Sequence, residues 1–242
     1  MKIVFITSLF GDRGNNPAKF KRVEGCDYFL FSDRSQESFN TSWDVYNISN
    51  NSNISNLNCN IRKSRYAKFM GWELLNSMSL NYDCVYYCDV HWSPDFNLDW
   101  TKISQSFVSK EFPFAQDVHT DINVQRLGIR EECNLIIRHR RDSSHNINKT
   151  INFFEANFPS VNLNASQYFE NTMFGYNPNS NKVKCITSEF WDIYTSNDIT
   201  FREQVLWNLL LLKNNLIPMH HLNIRSLFKK TGVYGDHIYI KK

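Results

Sequence analysis

Several common sequence patterns are absent from this chain, and each absence excludes a class of protein. No run approaches the roughly 18 consecutive apolar residues of a membrane helix. The six cysteines show neither a CxxC pair nor a paired zinc-type spacing. Neither GxGxxG nor a P-loop occurs, which excludes the usual dinucleotide and P-loop nucleotide sites. No internal repeat or linker interrupts the chain, so we expect a single domain over residues 1–242.

Strong charge is lacking as well. The formal net charge is +3, which is too small to indicate nucleic-acid binding by itself. The basic run Arg138–Arg141 and the basic tail 231–242 keep a nucleic-acid-binding alternative open. The modest charge argues against that alternative, and so does the concentration of aromatic residues in predicted core segments. We therefore expect no nucleic-acid partner.

The amino terminus and the cysteines indicate an intracellular protein. The opening residues MKIVFITSLF are apolar, but they are short, lack a small-residue cleavage site and lead directly into Gly11. They are better interpreted as a first strand than as a signal peptide. Cys84 and Cys88 fall in or beside a predicted core strand, where a free thiol behaves as a small hydrophobic group. Both features favour a reducing, cytoplasmic setting, which includes the cytoplasm of a virus-infected cell.

Hydrophobic residues make up 42% and aromatic residues 15% of the chain, enough for a substantial core. Short apolar runs alternate with helical patterns, which predicts an α/β fold with a mostly parallel central sheet flanked by helices. Strands are predicted at 2–7, 27–32, 43–48, 84–88, 112–116 and 167–176. Helices are predicted at 60–79, 101–109, 123–137, 148–158, 183–194 and 201–214.

The segment NYDCVYYCDVHW, residues 81–92, organises the prediction. Its apolar run is typical of a central parallel strand covered on both faces. Ligands bind beyond the carboxyl ends of such strands, where Asp89 and His91 follow. In an extended segment these two side chains would point the same way and could share one divalent cation. The alternative is that Asp89 caps a turn and His91 is an incidental loop residue.

A basic stripe precedes this strand. Arg62, Arg65 and Lys68 recur every three residues and fall along one side of the predicted helix at 60–79. A solvated basic face is the ordinary explanation of such a stripe. Its position before the Asp-x-His strand instead favours phosphate binding by at least one of the three.

Carboxylates in the second half of the chain are the candidates for acid-base chemistry. Glu170 interrupts the aromatic segment QYFENTMFGY, where a carboxylate is costly unless it is exposed, paired or used. Glu203 lies in the first turn of a predicted helix, and Asp198 lies in the turn before it. A helix dipole alone can explain an acidic residue at such a start.

Together these features resemble the glycosyltransferases of the GT-A fold, at the level of pattern and over most of the chain. The resemblance rests on the opening strand, the FSD ending of the second strand, the Arg/Lys helix and the Tyr-Asp strand that ends in Asp89. A late Arg202-Glu203-Gln204 stretch resembles the Arg-Asp-Gln helix of one plant and bacterial family. The compact plan is similar to that of viral and bacterial capsule-type transferases.

The resemblance implies a transferase that moves a sugar from a nucleotide diphosphate, most simply UDP, to a hydroxyl of a glycan. It implies a nucleotide-binding half over about 1–100 and an acceptor-binding half over about 101–242. It implies nucleotide contacts by Thr7, Ser8 and Asp33, and ribose and phosphate contacts by Arg62, Arg65 and Lys68. It implies Mn²⁺ or Mg²⁺ at Asp89 and His91, completed by His221 or His220. Glu203 is implied near the acceptor, with Glu170 and Asp198 as further candidates for the base.

Two residues depart from the family pattern. His91 replaces the second Asp of the Asp-x-Asp metal motif, and Glu203 replaces an Asp, which lengthens the side chain by one methylene. The irregular metal motif keeps open a second function, that of a non-catalytic nucleotide- or glycan-binding protein on the same scaffold.

Overall fold

A computed structural model describes residues 1–11, 17 and 19–231. Within these residues the chain forms a six-stranded sheet and a separate two-stranded one. The strands are β1 (Ile3–Leu9), β2 (Cys26–Ser32), β3 (Asp44–Asn47), β4 (Cys84–Cys88), β5 (Trp92–Pro94), β6 (Phe114–Val118), β7 (Phe169–Tyr176) and β8 (Phe228–Lys230). The helices are α1 (Ser52–Ser55), α2 (Asn60–Phe69), α3 (Gly71–Ser77), α4 (Trp100–Gln105), α5 (Ile122–Arg138), α6 (Ser144–Asn157), α7 (Asn181–Ser196) and α8 (Glu203–Lys213).

The large sheet has the strand order β3-β2-β1-β4-β7-β6. β1 pairs in parallel with β2 on one side and with β4 on the other, β2 pairs in parallel with β3, and β7 is antiparallel to β4. The predicted α/β fold with a mostly parallel, helix-flanked sheet is therefore confirmed. β5 and β8 form an antiparallel pair that the sequence analysis did not predict.

By their contacts the described residues divide into two compact units. Unit 1 comprises Met1–Asp117, Thr172–Thr187 and the segment from Pro218 onward, and unit 2 comprises Val118–Asn171 and Ser188–Ile217. Both units are assembled from segments that are distant in sequence.

The core of unit 1 is built on aromatic residues that are neighbours across strands. Phe5 lies opposite both Tyr28 and Tyr86 in the strand register, and its ring centroid is 5.0 Å from that of Tyr28 and 5.4 Å from that of Tyr86. The indole of Trp100 meets the Phe5 ring edge-on at 4.8 Å. Such pairs contribute about 0.5–1.5 kcal/mol each beyond their buried area. They fix the register that brings the ends of β1 and β4 side by side.

In unit 2, two side chains of α8 bind the backbone of β7. The Asn208 amide accepts from the Phe169 N–H at 2.7 Å and donates to the Phe169 carbonyl at 2.9 Å. One turn earlier, Gln204 Oε1 accepts from the Asn171 N–H at 3.0 Å. These bonds satisfy backbone groups that would otherwise be buried without partners. They also fix the first turn of α8, which contains Glu203.

The helix predicted at 60–79 is two helices, because Met70 leaves the helical conformation between α2 and α3. Residues 49–59, for which no strand or helix was predicted, contain α1, whose Ile54 is fully buried. An apolar residue among many asparagines was enough to anchor a helical turn there.

Candidate functional site

The carboxyl ends of β1 and β4 lie at a topological switch point. From β1 the chain goes to β2 on one side, and β4 then pairs with β1 on the other side. Open α/β sheets bind ligands in the crevice beyond such a point. Thr7 and Ser8 belong to the end of β1, and Asp89 directly follows β4. The position predicted for Asp89 from the sequence is therefore confirmed.

A buried lysine meets Asp89 at this edge. Lys68 Nζ lies 3.7 Å from Asp89 Oδ1 and 4.9 Å from the centroid of the Tyr87 ring. The Lys68 side chain is 2% exposed, whereas that of Asp89 is 32% exposed. Burying an ammonium is costly unless an anion compensates it. Asp89 and the face of the Tyr87 ring supply that compensation.

Tyr87 joins the surrounding groups into one cluster. Its hydroxyl donates to Asp89 Oδ1 at 3.0 Å. Burial raises the pKa of Tyr87 well above its usual range, the Asp89 charge raises it further, and Arg65 and the Ser8 hydroxyl act in the opposite direction. The phenol therefore stays a neutral donor. We call Ser8, Arg65, Lys68, Tyr87 and Asp89 the edge cluster; all five belong to unit 1.

Helix α2 places the basic stripe against this edge rather than in solvent. Ser8 Oγ donates to the Ser64 carbonyl of α2 at 3.0 Å, which ties the helix to the end of β1. Arg62 and Arg65 are half-buried and Lys68 is buried, so burial increases along the stripe. A solvated basic face is thus wrong for Lys68.

Asp33 closes the turn that follows β1. Both of its carboxylate oxygens lie within 3.1 Å of the Gly11 N–H. Gly11 has φ +71°, and a Cβ at this position would come within 2.3 Å of Asn60 Nδ2. The carboxylate thus holds a left-handed glycine turn at the switch point. Of the two β1 residues predicted to contact the nucleotide, Thr7 is fully buried and Ser8 is 7% exposed.

The expected extended geometry of Asp89 and His91 is wrong. The Trp92 N–H donates to the Asp89 carbonyl at 2.9 Å, so Asp89 to Trp92 form a turn. His91 is 9% exposed, and its ring lies 5.8 Å from the Trp92 ring, between centroids. The inference that the two side chains point the same way depended on an extended backbone, and a turn removes it.

The described residues do not fit a preformed metal site at Asp89. Asp89 faces the Lys68 ammonium and accepts the Tyr87 hydroxyl. His221 is exposed, with its ring 4.4 Å from that of His220. In the part of the chain that the structure describes, no group of three or more His, Cys, Asp or Glu side chains is placed to hold a metal. Binding of Mn²⁺ or Mg²⁺ at Asp89, His91 and His221 stays a prediction.

The three candidate base residues all belong to unit 2 and differ in their surroundings. Glu203, in the first turn of α8, is 6% exposed, and Glu170, on β7, is 7% exposed. Asp198 is 83% exposed and forms an ion pair with Lys149. Exposure and a surface partner make Asp198 the least specialised of the three.

Sequence reasoning missed a further buried carboxyl group in unit 2. Glu132 on α5 is 2% exposed, and its Oε2 lies 3.6 Å from His119 Nε2. A signal for it was present in the sequence: Glu132 continues the helical stripe of Val124, Gly128 and Ile136, all of which are buried. A carboxylate at an apolar position of a helix is the kind of departure that marks a paired or functional group.

The basic residues of the run Arg138–Arg141 have different surroundings: one is exposed to solvent, and another acts on the Glu132 carboxyl group. Arg138 ends α5 and is 64% exposed, where it pairs with Glu131. Arg141 is half-buried, and its charge acts on Glu132. The basic run therefore contributes to the interior of unit 2 as well as to its surface.

Comparison with known proteins assigns no family: no family model matches the chain, and no curated protein matches it significantly. No helix in the described part of the chain is both long and apolar enough to cross a membrane.

Proposed function

We propose that this protein is a glycosyltransferase that moves a sugar from a nucleotide diphosphate donor, in the first instance a UDP-sugar, to a hydroxyl of a glycan. The observation that carries the proposal is the edge cluster. A buried ammonium is fixed on Asp89 at the switch point of the sheet, with the Arg65 guanidinium acting on the same tyrosine. Fixed cations beside a ligand crevice suit a diphosphate.

In this mechanism the edge cluster stabilises the leaving group. When the bond between the sugar and the diphosphate breaks, negative charge grows on the phosphate oxygen that departs. A cation that is already held in place stabilises this charge without reorganising. Lys68 is held by Asp89 and the Tyr87 ring, and Arg65 adds a second positive charge. Arg62, half-buried on the same helix, is the third candidate for the phosphates.

Glu203 is our first candidate for the base, ahead of Glu170 and Asp198. If the reaction inverts the anomeric centre, a carboxylate accepts the proton of the acceptor hydroxyl while the hydroxyl oxygen attacks the sugar carbon. A positioned base of this kind contributes roughly 10²–10⁴-fold. Glu203→Gln keeps the shape of the side chain and removes the base. We expect a loss of that order in kcat, with donor binding unchanged.

We also propose a reducing, cytoplasmic setting. All six cysteines are free thiols, and Cys84, Cys88 and Cys133 are buried. Thiol titration of the denatured, unreduced protein should therefore find every cysteine reactive. A disulfide in protein purified without reductant would contradict this assignment.

A thermal-shift screen tests the proposal. UDP, GDP, CMP and their common sugar conjugates are added with and without Mn²⁺, and ligands that bind only the native state raise Tm. We expect one nucleotide to raise Tm in wild type and to lose this effect in Asp89→Ala, which removes the anion that holds Lys68. Lys63→Met, on the same helix as Lys68, is the matched control and should respond as wild type does.

The screen also separates the two functions that the sequence left open. A shift with one nucleotide, followed by release of that nucleotide from its sugar conjugate in the presence of a glycan, supports the transferase. A shift without turnover for any acceptor favours the non-catalytic binding protein. No shift with any nucleotide, from a well-folded sample, contradicts both. A shift that requires Mn²⁺ would show that a divalent cation joins the site.

A further inference from the structure

Unit 2 contains a carboxyl group in surroundings that disfavour its charge. Glu132 is 2% exposed, and its Oε2 has no hydrogen-bond partner among the described residues. His119 Nε2 lies 3.6 Å from this oxygen, which is longer than a hydrogen bond. A buried carboxylate without hydrogen bonds is costly, and such groups commonly bind a proton instead.

The imidazole beside it is held in its neutral form. The Asp121 N–H donates to His119 Nδ1 at 3.1 Å. A backbone N–H is always a donor, so Nδ1 carries no proton, and the proton of the neutral ring lies on Nε2, toward Glu132. The His119 N–H donates to the Tyr168 carbonyl at 2.7 Å, and the His119 ring packs edge-on against Tyr168 at 5.6 Å. An imidazolium would place two N–H groups against each other at Nδ1.

The charges that face Glu132 oppose one another. Burial is the largest influence and raises the pKa of Glu132 to about 7. Arg202, at the start of α8, and Arg141, after α5, lower this pKa, whereas Glu203 and Asp121 raise it. The neighbouring Tyr168 is fully buried, and burial raises the pKa of its phenol well above the usual range, so it brings no charge. Of these two buried groups, Glu132 is therefore the one whose pKa lies near neutral pH.

We propose that Glu132 is a positioning residue that holds a proton beside neutral His119 and so adds no further negative charge beside Glu203. The role of Glu203 as base rests on the proposed function, whereas the protonation of Glu132 does not. Arg202 and Arg141 act on Glu132, and Gln204 fixes the first turn of α8, which contains Glu203, to the Asn171 N–H. Ionisation of Glu132 adds a like charge that acts on Glu203 and disfavours the ionised form that a base needs.

The protonation itself is tested without any assay of transfer. Glu132→Gln copies the protonated side chain, and Glu131→Gln, one residue earlier, removes the half-buried partner of the exposed Arg138 as the matched control. Between pH 5.5 and pH 8 we expect the Tm of Glu131→Gln to fall by on the order of 5 °C more than that of Glu132→Gln. Equal pH dependence in the two variants would overturn the proposal.

A measurement on the wild-type protein does not depend on how the variants fold. The ¹⁵N shifts of the His119 ring, assigned by their loss in His119→Gln, should report the neutral Nε2–H form throughout this pH range. They should show a small inflection near pH 7 from Glu132, which Glu132→Gln removes. Titration of His119 to the imidazolium in this range would contradict the geometry.

The coupling to Glu203 has its own test once a donor is known. In wild type, kcat should fall about fivefold between pH 7 and pH 8 as Glu132 ionises, and Glu132→Gln should abolish this fall. An unchanged profile in Glu132→Gln would limit Glu132 to a structural role and overturn the positioning claim. If no donor supports transfer, the Tm and NMR results still decide the protonation, so failure of the function and failure of this inference are distinguishable.

Discussion

Asp89 in unit 1 and Glu132 in unit 2 are two carboxyl groups that each lie near a basic nitrogen. Their surroundings favour opposite charge states. Asp89 is 32% exposed, accepts a hydrogen bond from the Tyr87 hydroxyl and faces the Lys68 ammonium group at 3.7 Å. Glu132 is 2% exposed, faces a neutral imidazole and has like charges nearby. The first arrangement stabilises a carboxylate, and the second stabilises a carboxylic acid. The kind of nitrogen and the degree of burial therefore decide the charge state.

The largest effect is expected from removing the cation of the first pair. Lys68→Met keeps most of the buried side-chain volume and removes the ammonium that faces Asp89. If this ammonium stabilises the departing diphosphate, kcat should fall by roughly 10²–10³-fold, as when one fixed donor is removed from a transition state. Nucleotide release from the sugar conjugate measures this, with Lys63→Met as the control. Equal turnover in wild type and Lys68→Met would remove Lys68 from the mechanism.

The same chemical change at the two carboxyl groups should have opposite signs. Asp89→Asn leaves Lys68 buried without its anion and should lower the free energy of unfolding by about 2 kcal/mol at pH 8. The pKa of Glu132 is raised in the folded state, so its stabilising protonated form is fully present below the unfolded pKa and is lost as pH rises through about 7. Glu132→Gln should therefore raise the free energy of unfolding at pH 8, by up to about 3 kcal/mol.

Denaturant unfolding of wild type, Asp89→Asn and Glu132→Gln at pH 5 and pH 8 measures these changes in the free energy of unfolding. The gain in Glu132→Gln should shrink toward zero at pH 5, where wild-type Glu132 is protonated as well. Destabilisation by both substitutions at pH 8 would show that Glu132 is held as a carboxylate. The contrast between Asp89 and Glu132 would then be wrong.

A smaller loss of stability is expected from a substitution at Gly128, in the helix that carries Glu132. Gly128 bends α5 with φ +68°, and a Cβ there would lie 2.5 Å from the Ala165 carbonyl oxygen. Gly128→Ala should cost about 2 kcal/mol, from the strained φ and the backbone clash together. Gly25, with φ +74° and nothing near its Cβ position, isolates the first contribution, and Gly25→Ala should cost about 1 kcal/mol. Thermal unfolding compares the two, and equal costs would argue that the contact at Ala165 relaxes freely.

The smallest effect is expected at an exposed ion pair. Lys182 and Glu111 lie 2.6 Å apart, with side chains 47% and 89% exposed. Water screens such a pair, so Lys182→Ala should change the free energy of unfolding by less than about 0.5 kcal/mol. A much larger change in a urea titration would mean that exposure is a poor guide to ion-pair strength here. The contrast between Lys68 and Lys182 would then lose its basis.

The strands of the large sheet were largely predictable because most of them are short apolar runs in the sequence. The strand at 84–88 was predicted with the bounds that the structure has, since five apolar residues lie between polar ones. β5 and β8 were missed because each has three residues and their pairing joins segments more than 100 positions apart. A local sequence pattern cannot predict a strand pairing between such distant segments.

The site was predicted in its position more than in its geometry. Asp89 and the α2 stripe follow from strand order and helical spacing, which are local properties. The turn at Asp89 and the direct approach of Lys68 depend on how α2 and β4 pack, and spacing alone does not contain that information. Glu132 was not predicted as a site residue, although its spacing with Ile136 places it on the buried side of α5, because its approach to His119 joins two elements that no local pattern relates.

Calorimetric titration of UDP and UMP into wild type and Lys68→Met tests the central claim most directly, with GDP and GMP substituted if guanine nucleotides are selected in the screen. The second phosphate is the group that the Lys68 ammonium is expected to meet. We predict that UDP binds wild type more tightly than UMP does, and that Lys68→Met removes most of this difference while it leaves UMP binding unchanged. The same preference for UDP in both proteins, or no binding of either nucleotide to folded wild type, would contradict the assignment of the edge cluster to a nucleotide diphosphate.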